Sequence, residues 1–349
     1  MRYDINMSIT YLQNVPLSQL CTFRMGGIAK EVAILENEAD LVEFFETLPA
    51  DKKWFMLGGG SNIVFPDRDC DILIVRYLSK NVQVIEKENN KAEIVVDAGM
   101  IWDDFVAFAV QNGLSGIEAL SAIPGSVGAT PVQNVGAYGC EIKDTMVSLR
   151  AYNCIDKKFE VLSNADCKFA YRESIFKNEA KGTYIITQIT FLLSRNQNLS
   201  IPHYAGVMEY FTARNIIQPT LLQIREAIIE IRANKLPDPK KIASVGSFFK
   251  NPIVSKEKGD QLKNDFPKLA VFPIDDRHTK IGAGSLIDGL GWKGKNFGTI
   301  SIYEGNALVL VNNGYATRRE LMDVVEKIIS GVNTVYGVML ECEPEILNF

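Results

Sequence analysis

Two clusters of glycine constrain what this chain can fold into more than any other feature of its sequence. Gly58, Gly59 and Gly60 directly follow an apolar run, and six further glycines fall within residues 113–139. The total, 26 glycines in 349 residues, is ordinary, so the clustering carries the information. Clustered glycines let several backbone N–H groups converge on one anion without side chains in the way. The pattern therefore predicts two loops that hold the pyrophosphate of a dinucleotide.

Neither cluster has the spacing of a common nucleotide-binding fingerprint. LGGGSN (57–62) and IPGSVGATPVQNVGAYG (123–139) match neither GxGxxG nor GxxxxGK[ST], which disfavours a Rossmann site and a P-loop. The shorter loop is weak evidence alone, because glycine-rich turns are mostly structural. The longer loop is more specific, since its prolines fix the path of the chain and its amides could then contact a ring.

Helix and strand patterns alternate in the N-terminal half. Residues 39–48 carry a helical stripe of apolar side chains, and residues 101–113 predict a second helix that ends at a glycine. Short apolar runs within 54–62, 71–77 and 93–100 predict buried strands. This alternation predicts an α+β or α/β fold.

The C-terminal half follows a clear strand signal. Residues 184–192 alternate apolar and polar side chains, and the polar segment 194–206 after them predicts a linker or mobile loop. A helix is predicted at 219–235, and a last helix should begin at a capping box formed by Thr317 and Glu320. Its apolar stripe would consist of Leu321, Val324, Val325, Ile328 and Ile329.

Charge and hydropathy exclude several classes of partner. With 37 Lys and Arg against 42 Asp and Glu, the chain has no basic surplus that would indicate nucleic acid or an anionic membrane. We find no secretory leader pattern and no run of about 18 apolar residues, so we expect a cytoplasmic protein without membrane insertion. No obligate protein partner is implied.

Cysteine and histidine content limits the available chemistry. The six cysteines form no CxxC pair, and we interpret them as reduced thiols. His203 and His278 are the only histidines, too few for a multi-histidine centre, so we expect no metal site. Redox chemistry would then have to come from a bound cofactor.

Several short segments of the sequence resemble those of one enzyme family. LGGGSN, IPGSVGATPVQNVGAYG, AYRES, KLPDPK, GSFFKNP and EPE occur in the order found in UDP-N-acetylenolpyruvoylglucosamine reductases, from Thr22 to Glu345. The resemblance implies an α+β protein with a two-lobed FAD-binding fold of the vanillyl-alcohol-oxidase type and a smaller C-terminal substrate-binding domain. We place the FAD-binding region at 1–215, with lobes of about 1–76 and 77–215, and the substrate domain at 216–349, its tail returning to the active site.

The same resemblance implies ligands and residue roles. It predicts non-covalent FAD, NADPH as co-substrate, and reduction of UDP-N-acetylglucosamine enolpyruvate to UDP-N-acetylmuramate. Ser247 would donate a proton, with Arg172 and Glu345 completing the catalytic set, while Tyr204 of the long-form loop, Lys235 and Asn251 would bind substrate. The predicted FAD contacts are Leu57, Gly58, Gly59, Gly60, Ser61, Asn62, Pro124, Gly125, Ser126, Gly128, Ala129, Gln133, Asn134, Gly136, Ala137 and Tyr138.

Two alternatives stay open on the sequence alone. An oxidase of the same flavoprotein superfamily could act on an alcohol with dioxygen, and such enzymes often tether FAD through His or Cys. Cys140, next to the second glycine loop, is the candidate tether. A non-catalytic protein could instead bind the nucleotide sugar without flavin. We interpret Trp292 as a core side chain rather than a platform for a base.

Overall fold

The chain folds into two compact units. The computed structural model describes residues 9–195, 202 and 204–348. Of these, unit 1 contains residues within 9–15, 29–59 and 71–232, and unit 2 contains those within 16–28, 60–70 and 233–348. Two segments from the N-terminal part therefore belong to the C-terminal unit, which no sequence periodicity indicates. The predicted division into 1–215 and 216–349 stays a prediction, because compactness does not reveal what each unit binds.

The described residues contain seven α-helices. They are α1 (Glu38–Thr47), α2 (Trp102–Gln111), α3 (Ala205–Ala213), α4 (Leu221–Lys235), α5 (Lys256–Asp265), α6 (Ala283–Gly289) and α7 (Arg318–Tyr336). Short strands account for most of the remaining regular structure. They are β1 (Thr10–Pro16), β2 (Ile28–Leu35), β3 (Trp54–Met56), β4 (Ile63–Val64), β5 (Leu73–Tyr77), β6 (Val82–Lys87), β7 (Lys91–Asp97), β8 (Gly136–Ala137), β9 (Cys140–Glu141), β10 (Met146–Asn153), β11 (Lys158–Ser163), β12 (Tyr184–Ser194), β13 (Ala243–Ser247), β14 (Ile253–Ser255), β15 (Val271–Pro273), β16 (His278–Ile281), β17 (Ile300–Ile302), β18 (Val309–Asn312) and β19 (Glu345–Ile346).

Unit 1 is built on two sheets that share one hydrophobic core. The first has strand order β1-β2-β5-β3, with β2 and β3 both parallel to β5. The second, β11-β10-β12-β7-β6, is antiparallel throughout. The predicted period-two strand at 184–192 is confirmed as β12, whose alternate side chains are buried. The predicted helices at 39–48 and 101–113 are confirmed as α1 and α2, with ends shifted by one or two residues.

Helices α3 and α4 form a small separate cluster within unit 1. Its buried members are Val207, Phe211, Ile224, Ala227, Ile228 and Ile231. The predicted helix at 219–235 is confirmed as α4. The segment 194–206 predicted as a linker lies largely outside the described residues, because 196–201 and 203 are not among them.

Unit 2 places α7 against two small antiparallel sheets, β13-β18-β17 and β14-β16-β15. Both halves of the predicted capping box are present, since Thr317 accepts a bond from the Glu320 amide and Glu320 accepts one from the Thr317 amide. The predicted apolar stripe is also confirmed, with four members buried and Ile329 partly buried. Trp292 is partly buried and packs against this core, as predicted. Within the described ranges, no helix is both long and apolar enough to cross a membrane.

Candidate flavin and substrate site

The two predicted glycine loops meet in unit 1, and this packing explains two of the glycines. A Cβ on Gly59 would lie 2.8 Å from the Cα of Gly125, and a Cβ on Gly58 would lie 3.0 Å from the Oγ of Ser126. Both distances are tighter than ordinary van der Waals contact. Glycine at 58 and 59 therefore lets residues 57–59 lie directly against the second loop, independently of any ligand.

The start of the second loop is held by backbone hydrogen bonds to the residues around the start of α2. Trp102 N donates to Gly125 O at 3.0 Å, and Gly128 N donates to Ala98 O at 2.8 Å. A Cβ on Gly128 would lie 2.5 Å from the Ala98 Cβ. Gly128 was predicted to offer its amide to FAD, but that N–H is already used within the protein. Its requirement for glycine is therefore a packing requirement.

Four other amides in these loops fit the predicted pyrophosphate. Among the described residues, the backbone N–H groups of Gly58, Gly59, Gly125 and Ser126 donate to no protein acceptor. All four residues are at least partly exposed, so an anion could reach them. Several adjacent unused N–H donors form the kind of concavity that binds phosphate oxygens. The loops therefore fit the dinucleotide part of FAD.

The second loop ends in a rigid polar region. Asn134 is fully buried, and its side-chain amide donates to Glu141 at 2.9 Å and to the Ala170 carbonyl at 3.1 Å. Its Oδ1 accepts the Lys143 amide at 3.1 Å. These hydrogen bonds fix the position of the loop at Asn134, which is also a predicted FAD contact.

Arg172 lies beside this loop in unit 1. It occupies a turn closed by pairing of Ala170 with Glu173 and has a left-handed φ of 57°, a strained conformation for a residue other than glycine. Its Nη2 donates to Gly136 O at 3.0 Å. The structure therefore brings the predicted catalytic arginine to the predicted cofactor loop, 36 residues away in sequence.

Two tyrosines and an arginine converge at the end of the same loop. Tyr138 packs edge-on against Tyr204, with ring centroids 5.1 Å apart. Arg232 of α4 interacts with the Tyr138 phenol, and burial lowers the pKa of its guanidinium. The Arg232 Nε is inaccessible to solvent and has no hydrogen-bond partner in the described part of the chain. The predicted substrate residue Tyr204 is thus packed on the predicted FAD residue Tyr138.

Ser247 ends β13 in unit 2, directly after an irregularity in the strand. The register with β18 shifts between Ser244 and Ser247, and Gly246 inside this bulge has a positive φ of 73°. A bulge of this type redirects the side chain that follows it. Within the described residues, the Ser247 hydroxyl has no protein hydrogen-bond partner, and the residue is partly exposed.

Glu345 lies on β19, a two-residue strand that pairs in parallel with β4. Its amide donates to Asn62 O at 3.0 Å, and Asn62 Nδ2 donates to Glu343 O at 3.3 Å. Arg318 holds the segment after this strand by donating to Leu347 O at 2.6 Å. Asn62, predicted as an FAD contact, therefore directly supports the strand that carries Glu345.

Ser247 and Glu345 flank the same short pairing within unit 2. Phe249 pairs antiparallel with Cys342, and Glu343 N donates to Phe248 O at 2.9 Å. This register leads Ser247 toward the segment that contains Glu345, 98 residues later in sequence. Backbone pairing therefore joins the segments that carry two of the three predicted catalytic residues.

The other predicted residues are placed as follows. Asn251 accepts the Ala283 amide at 2.9 Å at the start of α6, and Lys235 is the last residue of α4. Leu57 is buried, and its amide donates to Val75 O at 2.8 Å. Ser61, Pro124, Ala129, Gln133 and Ala137 lie in or beside the two loops, Ser61 in unit 2 and the others in unit 1.

Cys140, the candidate tether, lies on β9 just after the second loop. Burial, with Glu118 and Asp144 nearby, raises the pKa of its thiol to about 11. A protonated thiol is a poor nucleophile, so this environment does not favour a covalent bond to flavin. In the described ranges, no group of three His, Cys, Asp or Glu side chains is arranged to hold a metal ion.

Sequence reasoning missed three residues that organise the site. From the sequence, Arg232 and Arg225 of α4 would be interpreted as ordinary charged residues on a helix surface. Arg318 would be interpreted as an ordinary residue in the first turn of α7. Only the fold shows that Arg225 pairs with Asp103 and that Arg318 holds the C-terminal segment. The signal available in the sequence was the repeated arginine at i and i+7 on α4, which puts both on similar faces of one helix.

Comparisons with known proteins agree along nearly the whole chain. Residues 29–156 match the profile of an FAD binding domain, and residues 238–347 match that of the UDP-N-acetylenolpyruvoylglucosamine reductase C-terminal domain. The reductase of that name from Flavobacterium johnsoniae is 38% identical over 334 residues, covering 96% of this chain and 98% of the relative. The one from Bdellovibrio bacteriovorus is 40% identical over 333 residues, covering 94% and 97%.

A solved structure shows the same fold. UDP-N-acetylenolpyruvylglucosamine reductase from Thermus caldophilus superposes with a TM-score of 0.67 at 22% identity, covering 97% of this chain and 99% of that structure. Together with the two domain matches, this confirms the predicted fold class, an α+β FAD-binding fold followed by a smaller C-terminal domain.

Proposed function

The chain belongs to the UDP-N-acetylenolpyruvoylglucosamine reductase family of FAD-dependent oxidoreductases, and from this we propose the reaction it catalyses. It reduces the enolpyruvyl group of UDP-N-acetylglucosamine enolpyruvate to the lactyl ether of UDP-N-acetylmuramate, with NADPH as the source of hydride. Both nucleotides are cytoplasmic metabolites, so we expect the protein to act in the cytoplasm. Membership of an enzyme family argues against the non-catalytic alternative.

FAD is proposed to bind non-covalently at the two glycine loops of unit 1. The unused amides of Gly58, Gly59, Gly125 and Ser126 would hold its pyrophosphate, and Cys140 is too weakly acidic to act as a tether. FAD bound there would supply the redox chemistry, the transfer of hydride from NADPH to C3 of the enolpyruvyl group. The protein contributes binding, orientation and one proton.

Ser247 is the proposed proton donor. Addition of hydride at C3 leaves the electron pair at C2, delocalised into the carboxylate as an enolate, and the Ser247 hydroxyl would protonate C2 and recover a proton from water. Serine is a weak acid, but an enolate is basic enough for a positioned hydroxyl to suffice. A hydroxyl redirected by a bulge and without a protein partner supports this assignment.

Arg172 and Glu345 are proposed to act on the substrate carboxylate, where negative charge builds up as the enolate forms. The planar guanidinium of Arg172 can bind a carboxylate bidentately. Lys235, Asn251 and Tyr204 are the proposed contacts for the UDP-sugar. Each assignment follows the matching position in the family.

The observation that carries this proposal lies in unit 2. Backbone pairing there joins the Ser247 segment to the Glu345 segment. A purely structural serine would be expected to bond within the fold or to cap an element. Ser247 does neither among the described residues.

Rapid mixing of the Ser247→Ala holoenzyme tests the proposal. Flavin bleaching by NADPH needs no proton from Ser247 and should proceed at close to the wild-type rate. Recolouring by the enolpyruvyl sugar should slow by about 10²–10⁴-fold, the range expected for loss of a general acid. Ser244→Ala on the same strand is the matched control and should leave both steps unchanged. Normal recolouring in Ser247→Ala, or loss of both steps together, would overturn the assignment.

A further inference from the structure

Asp103 supports the start of the second glycine loop. It lies in the first turn of α2, and its Oδ1 accepts the Ala122 amide at 2.6 Å. Ala122 has a positive φ of 58°, unfavourable for any residue other than glycine, so this turn needs external support. Loss of the Asp103 acceptor should therefore let the loop relax before Gly125.

The same carboxylate also binds helix α4. Arg225 donates from Nη1 to Oδ1 at 2.6 Å and from Nη2 to Oδ2 at 2.9 Å, a bidentate pair. Only 13% of the Arg225 side chain is exposed. Burial by itself would raise the pKa of Asp103, but the bonds from Arg225 and the Ala122 amide outweigh burial and hold it below its usual value. Asp103 is therefore charged whenever the enzyme is active near neutral pH.

Helix α4, which carries Arg225, packs mainly with helix α3. Helices α3 and α4 enclose their own small apolar cluster, separate from the main core. Their other described connections include Tyr138 against Tyr204, Arg232 near Tyr138, and Leu221 against the main core. Tyr204 directly precedes α3, so the position of these helices determines the position of Tyr204.

We propose that Asp103 is a positioning residue that couples the flavin loop to the helical pair carrying Tyr204. One carboxylate fixes both the Ala122 turn and Arg225, so a change in the order of the start of the loop reaches α4 directly, beside the contact of Tyr138 with Tyr204 at its end. This inference rests on the proposed function, because it takes the loop as the FAD site and Tyr204 as a UDP-sugar contact. Neither Asp103 nor Arg225 touches substrate in this account.

Coupling of this kind is reciprocal. If flavin orders the loop and thereby helps to place Tyr204, then bound UDP-sugar must also strengthen the retention of flavin by the same factor. Coupling between two sites is typically about 5–150-fold. The dissociation constant of FAD should therefore be about 5–150-fold lower when UDP-N-acetylmuramate is present than when it is absent.

The test measures the dissociation constant of FAD by fluorescence titration, with and without UDP-N-acetylmuramate. Arg225→Gln removes the connection to α4 but leaves the hydrogen bond that Asp103 accepts from the Ala122 amide. It should bind FAD with wild-type affinity without ligand and lose most of the ligand effect. Asp103→Ala removes both contacts and should bind FAD more weakly and lose the ligand effect as well. Arg225→Lys keeps the charge with one donor and should recover part of it.

Arg214→Gln is the matched control. It removes an ion pair with Glu230 inside the helical pair and should leave the coupling at its wild-type value. If the Arg225→Gln protein kept the full ligand effect, the inference would be wrong while the proposed function stood. If wild-type holoenzyme bound no UDP-N-acetylmuramate at all by calorimetry, the proposed function itself would fail.

Discussion

The flavin loops of unit 1 and the Ser247–Glu345 segment of unit 2 are built on opposite principles. The loops present backbone amides, and glycine at 59 and 128 allows close contact with neighbouring backbone. The unit 2 segment presents side chains from short strands whose positions are set by a bulge and by backbone pairing. A loop that binds its ligand through backbone amides tolerates few substitutions, because an added side chain would displace the main chain that carries those amides. A functional side chain, in contrast, can be replaced singly without displacing the backbone around it.

This difference predicts different kinds of mutant. Changes in the loops should remove flavin and stability together, whereas changes at Ser247 or Glu345 should separate one chemical step from binding. Each experiment below tests whether that contrast holds.

The largest effect is expected from Gly128→Val. The new Cβ would lie 2.5 Å from the Ala98 Cβ and 3.2 Å from its backbone, so neither side can yield without moving the strand end. We expect a loss of stability at or above the upper end of the ~1–3 kcal/mol typical of overpacking, with little bound flavin. Absorbance of the purified protein and denaturant unfolding measure both.

Gly139→Ala is the control for that variant. Gly139 also lies at the second loop but has open space around its Cβ and a φ of 84°. Its substitution should cost only the ~1–2 kcal/mol of a left-handed residue and should keep the flavin. Equal flavin loss in both variants would mean that packing against Ala98 is not what makes glycine necessary.

The sequence indicated the helices and long strands well because their burial follows simple periods. The stripe of α7, its capping box and the alternation of β12 all appear as predicted. It did not indicate that residues 16–28 and 60–70 join unit 2, because that depends on pairings such as Glu345 with Ile63 between distant segments. Local patterns carry no information about such pairings.

The next largest effect concerns the residues proposed to contact the UDP-sugar. Lys235→Ala and Tyr204→Phe should each weaken UDP-sugar affinity by about 1.5–3 kcal/mol, because a charge-assisted contact to phosphate is lost. The flavin content should stay at the wild-type value, since neither residue lies in the loops. Calorimetry on the double mutant decides the point, and unchanged affinity would contradict the assignment.

A smaller effect is expected from Thr317→Ala at the start of α7. The substitution removes one half of the capping box and should destabilise unit 2 by about 1 kcal/mol. Flavin content should be unaffected, because the cap is remote in sequence from the loops and serves the fold of unit 2. Chemical denaturation measures the change in the free energy of unfolding. A simultaneous loss of flavin would contradict the expectation that this cap affects only the stability of unit 2.

The smallest effect is expected from Cys140→Ser. With a thiol pKa of about 11, Cys140 is protonated at pH 8, and its rate of alkylation should rise only as the pH approaches that value. The substitution should leave flavin content and its release by acid unchanged. Flavin that remained on the Cys140 tryptic peptide of the wild-type protein and was lost in Cys140→Ser would instead support the oxidase alternative and overturn non-covalent binding.

The candidate site was predictable in its residues but not in its supports. Resemblance to the family supplied Arg172, Ser247 and Glu345, while the structure supplied the Gly136 contact of Arg172 and the Asn62 contact of β19. It also showed that Gly128 packs against Ala98 and that Asn134 fixes the second loop through hydrogen bonds, while their predicted contacts with FAD stay predictions. These roles depend on which backbone groups lie in contact in the folded protein, and the amino-acid type at a position does not predict that contact.

An anaerobic titration of the wild-type protein tests whether it catalyses the proposed reduction. The purified protein should show a flavin absorbance spectrum, bleach on addition of NADPH, and regain its colour when UDP-N-acetylglucosamine enolpyruvate is added without oxygen. UDP-N-acetylmuramate should form in an amount equal to the flavin reoxidised. A flavin that NADPH bleaches but that only dioxygen recolours, or a protein that binds no FAD, would contradict the account.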